Sequence, residues 1–166
     1  IWLLEELVSG LQAGAKRGGL FLAGVVMAAA IALHNLPEGM VIGASYAADL
    51  AEAGQDGRMM ALVIGLHNIP EGMAVAVPLA AGGASRGRAV LTTAAAGAPT
   101  VLGAVLGFCL GTMGPGLQML TLGGASGAML YVVFGELLPE SFRLCRSPAP
   151  VMAAVLGVLT GMGVVL

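Results

Sequence analysis

Two copies of one short motif hold most of the chemically useful side chains in the sequence. The hexad HNLPEG at residues 34–39 recurs as HNIPEG at residues 67–72. Within each copy the histidine and the glutamate are four residues apart, so on a helix they project from the same face, about 6 Å from each other. Two imidazoles and two carboxylates suit Zn²⁺, Fe²⁺, Mn²⁺ or Cd²⁺. We therefore predict a divalent metal site between two helices, with the ligands His34, Glu38, His67 and Glu71.

Each hexad also contains an asparagine and a proline. Asn35 and Asn68 precede the glutamates by three residues, and their amide oxygens could complete a larger coordination sphere or orient the ligands from behind. Pro37 and Pro70 each remove one backbone hydrogen bond in mid-helix and loosen the helix there. A loosened helix beside a cation ligand is typical of transport sites at mid-membrane depth.

The composition places these motifs in a membrane. Apolar residues make up 58% of the 166 residues, charged residues only 10%, and the mean hydropathy is +0.95. A water-facing surface cannot be built from such a chain, which indicates an integral membrane protein. The net charge of −2, without any basic stripe, excludes a nucleic-acid-binding protein.

The hydropathy pattern predicts an all-α, polytopic membrane helix bundle with five transmembrane helices. Residues 1–15 are too short and too charged to span a bilayer, and we expect an interfacial or pre-membrane segment there. Residues 16–166 are predicted to form a single transmembrane domain. Its spans are expected at about 20–47, 59–81, 89–113, 117–139 and 151–166. Glycines spaced by four predict close helix packing at Gly103, Gly107 and Gly111, at Gly123 and Gly127, and at Gly157 and Gly161.

Ionisable residues inside these spans point to bound cations. A carboxylate at mid-membrane costs at least about 2.5–3.5 kcal/mol, and Glu38 and Glu71 both lie well inside predicted spans. Two such anions facing each other require a cation between them. Glu136, near the end of the fourth span, has two interpretations: it pairs with a loop arginine, or it serves as a ligand on the exit route of the metal.

The basic residues predict the orientation of the chain. With five spans, Lys16, Arg17, Arg86, Arg88, Arg143 and Arg146 fall on one side, whereas Arg58 lies on the other among acidic residues. The positive-inside rule makes the first side cytoplasmic. We therefore expect an integral protein of the cell (inner) membrane whose N-terminal end is cytoplasmic.

The hexads, together with YVVFGELLPES at residues 131–141, resemble the ZIP (Zrt/Irt-like) family of zinc and iron permeases. The resemblance implies eight spans, of which these would be the fourth to the eighth, a homodimer, and movement of metal towards the cytoplasm. It also implies that the two histidines and two glutamates form the primary metal site and that Asn35 and Asn68 belong to a second one. Family members with two metals have a glutamate before a proline in the next helix, where this chain has Ala98 before Pro99. We therefore expect one tightly held ion.

Three functions are compatible with these residues. The first is a divalent cation transporter, with Zn²⁺ as the substrate and no enzymatic activity. The second is an intramembrane zinc-dependent hydrolase in which Glu38 or Glu71 acts as the base, although the HExxH arrangement is absent from the sequence. The third is a fragment that binds metal without transporting it.

Overall fold

The structure is a computed structural model that describes the backbone of residues 2–52 and 54–165. Side chains are described for the same residues except 2–18, 51, 52, 136, 137, 140, 144, 164 and 165. These residues form helices and no strands, which confirms the predicted all-α class. The chain divides into two compact units, residues 1–125 and residues 126–166.

The first unit contains three long helices and the beginning of a fourth. They are α1 (Trp2–Glu52), α2 (Asp56–Ala81), α3 (Arg86–Thr112) and α4 (Pro115–Val132). Inside α1 the backbone breaks at Gly19, with φ 79° and ψ −176°, a left-handed φ that glycine adopts without a steric penalty. The break separates the N-terminal segment from the first apolar run. The position of that segment at a membrane surface stays a prediction.

Four described helices are long and apolar enough to cross a bilayer. They cover Gly19–Leu50, Asp56–Ala81, Arg86–Thr112 and Pro115–Gly135, and they correspond to the first four predicted spans. The fifth predicted span forms α6 (Ala149–Val165), whose 17 residues fall short of the ~20 that a bilayer core requires.

The loop between the first two spans is much shorter than the sequence analysis predicted. We predicted the first span to end at 47 and the second to begin at 59, but α1 continues to Glu52 and α2 begins at Asp56. The physical reason is that Asp49, an acidic residue read as part of the loop, accepts hydrogen bonds from the backbone amides of Asp56 and Gly57. It therefore holds the next helix close to the end of its own.

Glycines allow α1 and α3 to pack with their backbones in contact. A Cβ at Gly39 would collide with the carbonyl oxygen of Thr100, and one at Gly103 would collide with the carbonyl oxygen of Leu36. The packing is therefore reciprocal, and it continues one turn further along each helix at Gly43 and Gly107. Gly103, Gly107 and Gly111 are all buried, which confirms the first of the three predicted packing faces.

The other two predicted packing faces are not formed by the described residues. Apart from the backbone of its own helix and its chain neighbours, no described atom lies within 4 Å of the position that a Cβ would take at Gly123, Gly127, Gly157 or Gly161. Four-residue spacing makes close approach possible, but it does not provide the partner helix. Close helix packing at these four glycines therefore stays a prediction.

The second unit is a short helical segment. The end of α4 continues into a π-helical stretch, Val133–Leu137, which is followed by α5 (Leu138–Leu144) and then by α6. A π-helical stretch inserts a wide turn into a helix and occurs frequently at functional sites. Glu136 belongs to this stretch, but its side chain lies outside the described residues.

Candidate metal site

The four predicted ligands come together between α1 and α2. Each hexad lies within a continuous helix that runs through its proline, Pro37 in α1 and Pro70 in α2. His34, Glu38, His67 and Glu71 each offer one nitrogen or oxygen atom, and these four atoms all lie within 4.8 Å of one another. The histidine and glutamate of each hexad share a helix face, as their four-residue spacing requires.

The distances between the four side chains leave room for an ion. Within α1, His34 Nε2 lies 3.5 Å from Glu38 Oε1, and within α2, His67 Nε2 lies 3.3 Å from Glu71 Oε1. Across the two helices, His67 Nε2 lies 3.4 Å from Glu38 Oε1, and His34 Nε2 lies 3.9 Å from Glu71 Oε1. All four separations exceed the ~2.7–3.2 Å of a well-formed N–H···O hydrogen bond.

These separations agree with the edges of a coordination tetrahedron. Zinc lies about 2.0–2.2 Å from nitrogen and oxygen ligands in tetrahedral sites, so neighbouring ligand atoms are about 3.3–3.6 Å apart. Three of the four measured separations fall at 3.3–3.5 Å, and the fourth, 3.9 Å, exceeds this range by a few tenths of an ångström. These four histidine–glutamate separations are therefore close to those around a tetrahedral divalent ion, and all four ligand atoms lie within 4.8 Å of one another.

Burial differs strongly between the two hexads. Glu38 is only 1% exposed and His34 20%, whereas Glu71 is 18% and His67 52% exposed. The oxygens Glu38 Oε2 and Glu71 Oε2 are buried without a hydrogen-bond partner among the described residues. A buried carboxylate without partners is costly unless a cation neutralises it.

The two asparagines lie behind the ligands and make different contacts. Asn35 is buried, and its amide nitrogen donates a 2.8 Å hydrogen bond to the carbonyl oxygen of Ala96 in α3. Asn35 Oδ1 and Asn68 Oδ1 are buried without a partner in the described part of the chain. Both asparagines, together with Glu71 and Thr93, line a cavity of about 80 Å³. Asn35 is thus fixed to the third helix, while the oxygens of both asparagines stay available to a ligand or to water.

The third helix contributes residues that the sequence analysis missed. Thr93 lines the small cavity, with its hydroxyl donating to the carbonyl oxygen of Ala89, and Thr100 Oγ1 is buried without a partner among the described residues. The two threonines are seven residues apart, which places them on one face of a helix. Their spacing in the sequence could therefore have predicted that they share a face of α3. Ala98 is exposed and does not line the cavity.

A family of known proteins matches almost the whole chain. The sequence model of the family described as "ZIP Zinc transporter" matches residues 9–166. This chain belongs to the ZIP zinc transporter family. The ZIP family consists of transporters rather than enzymes. The membership of this chain in the family confirms the resemblance read from the hexads.

One ZIP relative is the protein named "Zinc transporter GufA" from Myxococcus xanthus. It is 40% identical to this chain over 114 residues, which cover 69% of the chain and 44% of GufA. The chain thus spans less than half of the length of that relative. No solved structure matches the chain.

Proposed function

We propose that this chain forms the metal-conducting part of a transporter that moves Zn²⁺ across a membrane towards the cytoplasm. The observation that carries the proposal is the group of four side chains whose ligand atoms lie within 4.8 Å of one another, between two helices of membrane-spanning length. The name of the GufA relative supports zinc as the substrate. In this proposal His34, Glu38, His67 and Glu71 bind the ion during its passage.

The glutamates supply the charge that makes the ion stable inside the membrane. Glu38 and Glu71 each lie close to both histidines, so an ion among them contacts both carboxylates. Two carboxylates neutralise the charge of a divalent cation, which lowers the large cost of placing that charge in a low-dielectric medium. The ion and the buried carboxylates therefore stabilise each other.

The histidines supply the selectivity. Ca²⁺ and Mg²⁺ prefer sites built from oxygen atoms alone, and they require six or more ligands. Imidazole nitrogen suits Zn²⁺ and the neighbouring divalent metals Fe²⁺, Mn²⁺ and Cd²⁺. We therefore expect zinc to be preferred and calcium and magnesium to be rejected.

Ligand exchange is expected on the side of α2. His67 is the most exposed of the four ligands, and Glu38 the most buried. An ion that enters past His67 gains the remaining ligands in turn, and it can leave without breaking a closed cage. We propose that one ion is held at a time, because Ala98 offers no carboxylate for a second, and that Asn35 and Asn68 orient the site from behind.

The geometry argues against the hydrolase alternative. A catalytic base must be free to take a proton from metal-bound water. Here both glutamates lie 3.3–3.9 Å from both histidines, close enough for all four side chains to bind one ion. With all four side chains used as ligands, no glutamate remains as a base. The arrangement therefore favours transport.

The remaining features of the proposal come from charge and from the family resemblance. We propose that the N-terminal end of this chain faces the cytoplasm in the cell (inner) membrane, that residues 1–15 lie at the membrane surface, and that two copies form a homodimer. Glu136 is proposed as a ligand on the exit route, since a π-helical stretch at Val133–Leu137 interrupts the helix there.

Zinc flux into liposomes tests the proposed function. The chain is reconstituted into vesicles loaded with a zinc-sensitive dye, and His67→Ala is compared with Leu66→Ala, an exposed neighbour on the same helix. We expect His67→Ala to lower the flux by at least about tenfold, since even partners behind metal ligands contribute 10–100-fold to affinity, while Leu66→Ala transports as the unchanged chain does. Equal flux through the His67→Ala chain would exclude the hexads from the pathway.

A further inference from the structure

The carboxylate of Asp49 closes the turn between α1 and α2. Asp49 Oδ1 accepts a 2.9 Å hydrogen bond from the backbone amide of Asp56, and Asp49 Oδ2 accepts a 3.0 Å hydrogen bond from the amide of Gly57. The first amides of a helix have no acceptor within the helix, and an anion next to them interacts favourably with the helix dipole. Gln55, the residue before α2, provides no side-chain cap. A residue of the preceding helix therefore caps α2.

The turn around this carboxylate leaves little space for additional side-chain atoms. A Cβ at Gly54 would lie 2.9 Å from Asp49 Oδ1, and a Cβ at Gly57 would lie 2.7 Å from Cγ of Tyr46. Gly57 also lies against the backbone of Tyr46, so that position needs glycine for the turn to close over the end of α1. We call Asp49 together with the amides of Asp56 and Gly57 the clamp.

The clamp and the metal site lie at the two ends of equal helical arms. Glu38 precedes Asp49 by as many residues as His67 follows Asp56. One turn further from the clamp, His34 precedes Asp49 by as many residues as Glu71 follows Asp56. At a rise of about 1.5 Å per residue, each of the shorter arms is about 16 Å long. Equal arms on antiparallel helices bring Glu38 opposite His67 and His34 opposite Glu71. These are the two pairs that meet across the helices, at 3.4 and 3.9 Å.

We propose that Asp49 is a positioning residue that fixes the register of α2 against α1 and so holds His67 and Glu71 at ligand distance from Glu38 and His34. This inference rests on the proposed function insofar as the four side chains bind metal. A slip of one residue would move α2 by about 1.5 Å along its axis and rotate its side chains by about 100°. Both hexads would stay intact in sequence, but their ligands would no longer converge.

The simpler alternative is that Asp49 acts only through its negative charge, by attracting cations to this end of the helices. Asp56 offers the matched control, because it lies in the same turn, is exposed and carries the same charge. Its backbone amide belongs to the clamp, but Asp56→Asn leaves that amide in place. Removal of either charge has the same electrostatic effect, whereas only Asp49 supplies the acceptor oxygens.

Cobalt binding tests the proposal, because visible absorption by Co²⁺ reports the geometry of its ligands. The whole chain is purified in detergent, and Co²⁺ is titrated into the unchanged protein, Asp49→Ala, Asp49→Asn, Asp56→Asn and His67→Ala. We expect Asp49→Ala to bind about tenfold more weakly, at the lower end of the loss caused by removing outer partners, with a changed spectrum. Asp49→Asn, which keeps one acceptor oxygen, should fall between, and Asp56→Asn should bind as the unchanged protein does.

Two results of the titration would overturn the proposal. One is a folded Asp49→Ala chain with unchanged affinity and spectrum, and the other is an equal loss in Asp56→Asn. If Asp49→Ala does not fold, the Co²⁺ affinity and spectrum of Asp49→Asn are compared with those of Asp56→Asn, and equal values in the two variants overturn the proposal. If instead His67→Ala binds Co²⁺ as well as the unchanged chain does, the proposed metal site is wrong, and that outcome is separate from the role of Asp49.

Disulfide cross-linking measures the register without any metal. Val41 and Ile64 lie at equal sequence distances from the clamp, Val41 before Asp49 and Ile64 after Asp56, and both are buried, so the register places them opposite each other. In a chain with Cys109→Ser and Cys145→Ser, the pair Val41→Cys and Ile64→Cys should form a disulfide, because such bonds require Cα atoms within about 7 Å. Adding Asp49→Ala should lower the yield of this bond, and adding Asp56→Asn should not. The same yield with and without Asp49→Ala would contradict the clamp.

Discussion

The two hexads have nearly the same sequence and very different surroundings. The copy on α1 is packed against α3: Gly39 touches the backbone of that helix, Asn35 donates to the carbonyl oxygen of Ala96, and Glu38 is buried. In the copy on α2, a Cβ at the equivalent Gly72 would meet, among the described residues of other helices, just a methyl group of Thr93, and His67 is half exposed. A motif therefore sets which ligands are available, whereas the third helix sets how firmly each copy is held.

This difference assigns different roles to the two halves of the site. The copy on α1 is a fixed half, because three of its six residues are anchored by α3 or buried. The copy on α2 is an open half, with its register set at a distance by Asp49. Paired substitutions at equivalent positions of the two copies test this asymmetry directly.

The largest effect is expected at the two glutamates. Glu38→Gln and Glu71→Gln each remove the charge of one proposed ligand. We expect Glu38→Gln to weaken zinc binding by about 100-fold, because loss of a partner behind a metal ligand already costs about 10–100-fold. Glu71→Gln should weaken it less, because water can replace a ligand on the more exposed side. Competition with a fluorescent zinc chelator in detergent measures both affinities. Equal losses in the two variants would show that burial does not distinguish the halves.

The glycines at the ends of the hexads should differ in their effect on stability. A Cβ at Gly39 would collide with the backbone of Thr100, whereas a Cβ at Gly72 would lie 3.3 Å from a methyl group of Thr93. We expect Gly39→Ala to destabilise the protein by about 2 kcal/mol or more through overpacking. In Gly72→Ala the higher helix propensity of alanine, up to about 1 kcal/mol, offsets the tighter contact. Thermal unfolding in detergent compares the two, and a Gly72→Ala chain that is less stable than Gly39→Ala would refute the assignment of fixed and open halves.

The asparagines should give the smallest difference. Asn35→Ala removes the hydrogen bond to Ala96 and should lower the free energy of unfolding by about 1 kcal/mol, the usual net value of such a bond. Asn68→Ala should change stability less, because Asn68 Oδ1 has no partner to lose among the described residues. Chemical unfolding of both variants at constant detergent measures this. A larger loss in Asn68→Ala would reverse the comparison.

Several features of the fold and of the site follow from the sequence by simple rules. Residues 34 and 38, and likewise 67 and 71, are four apart, so a helix had to place them on one face. The ligand chemistry of the four side chains predicted that the two helices meet. The apolar runs gave four spans within a few residues of their ends. Gly103 and Gly107 indicated a packing face that the structure contains.

Other features depended on contacts between distant residues. The role of Ala96 as an acceptor for Asn35 has no signal at Ala96 itself, since every residue has a carbonyl oxygen. Asp49 was read as a loop residue, because its acceptor role appears only when α2 folds back against α1. The unequal burial of two nearly identical motifs cannot be read from either copy, because it arises from the position of α3.

The central claim is that one divalent ion binds two imidazoles and two carboxylates contributed equally by the two hexads. Zinc-edge X-ray absorption of the zinc-loaded chain measures this most directly. The account predicts four nitrogen or oxygen neighbours at about 2.0–2.2 Å, with outer-shell scattering from two imidazole rings that falls to one ring in His67→Ala. A sulfur neighbour at about 2.3 Å, or a spectrum that His67→Ala leaves unchanged, would contradict it.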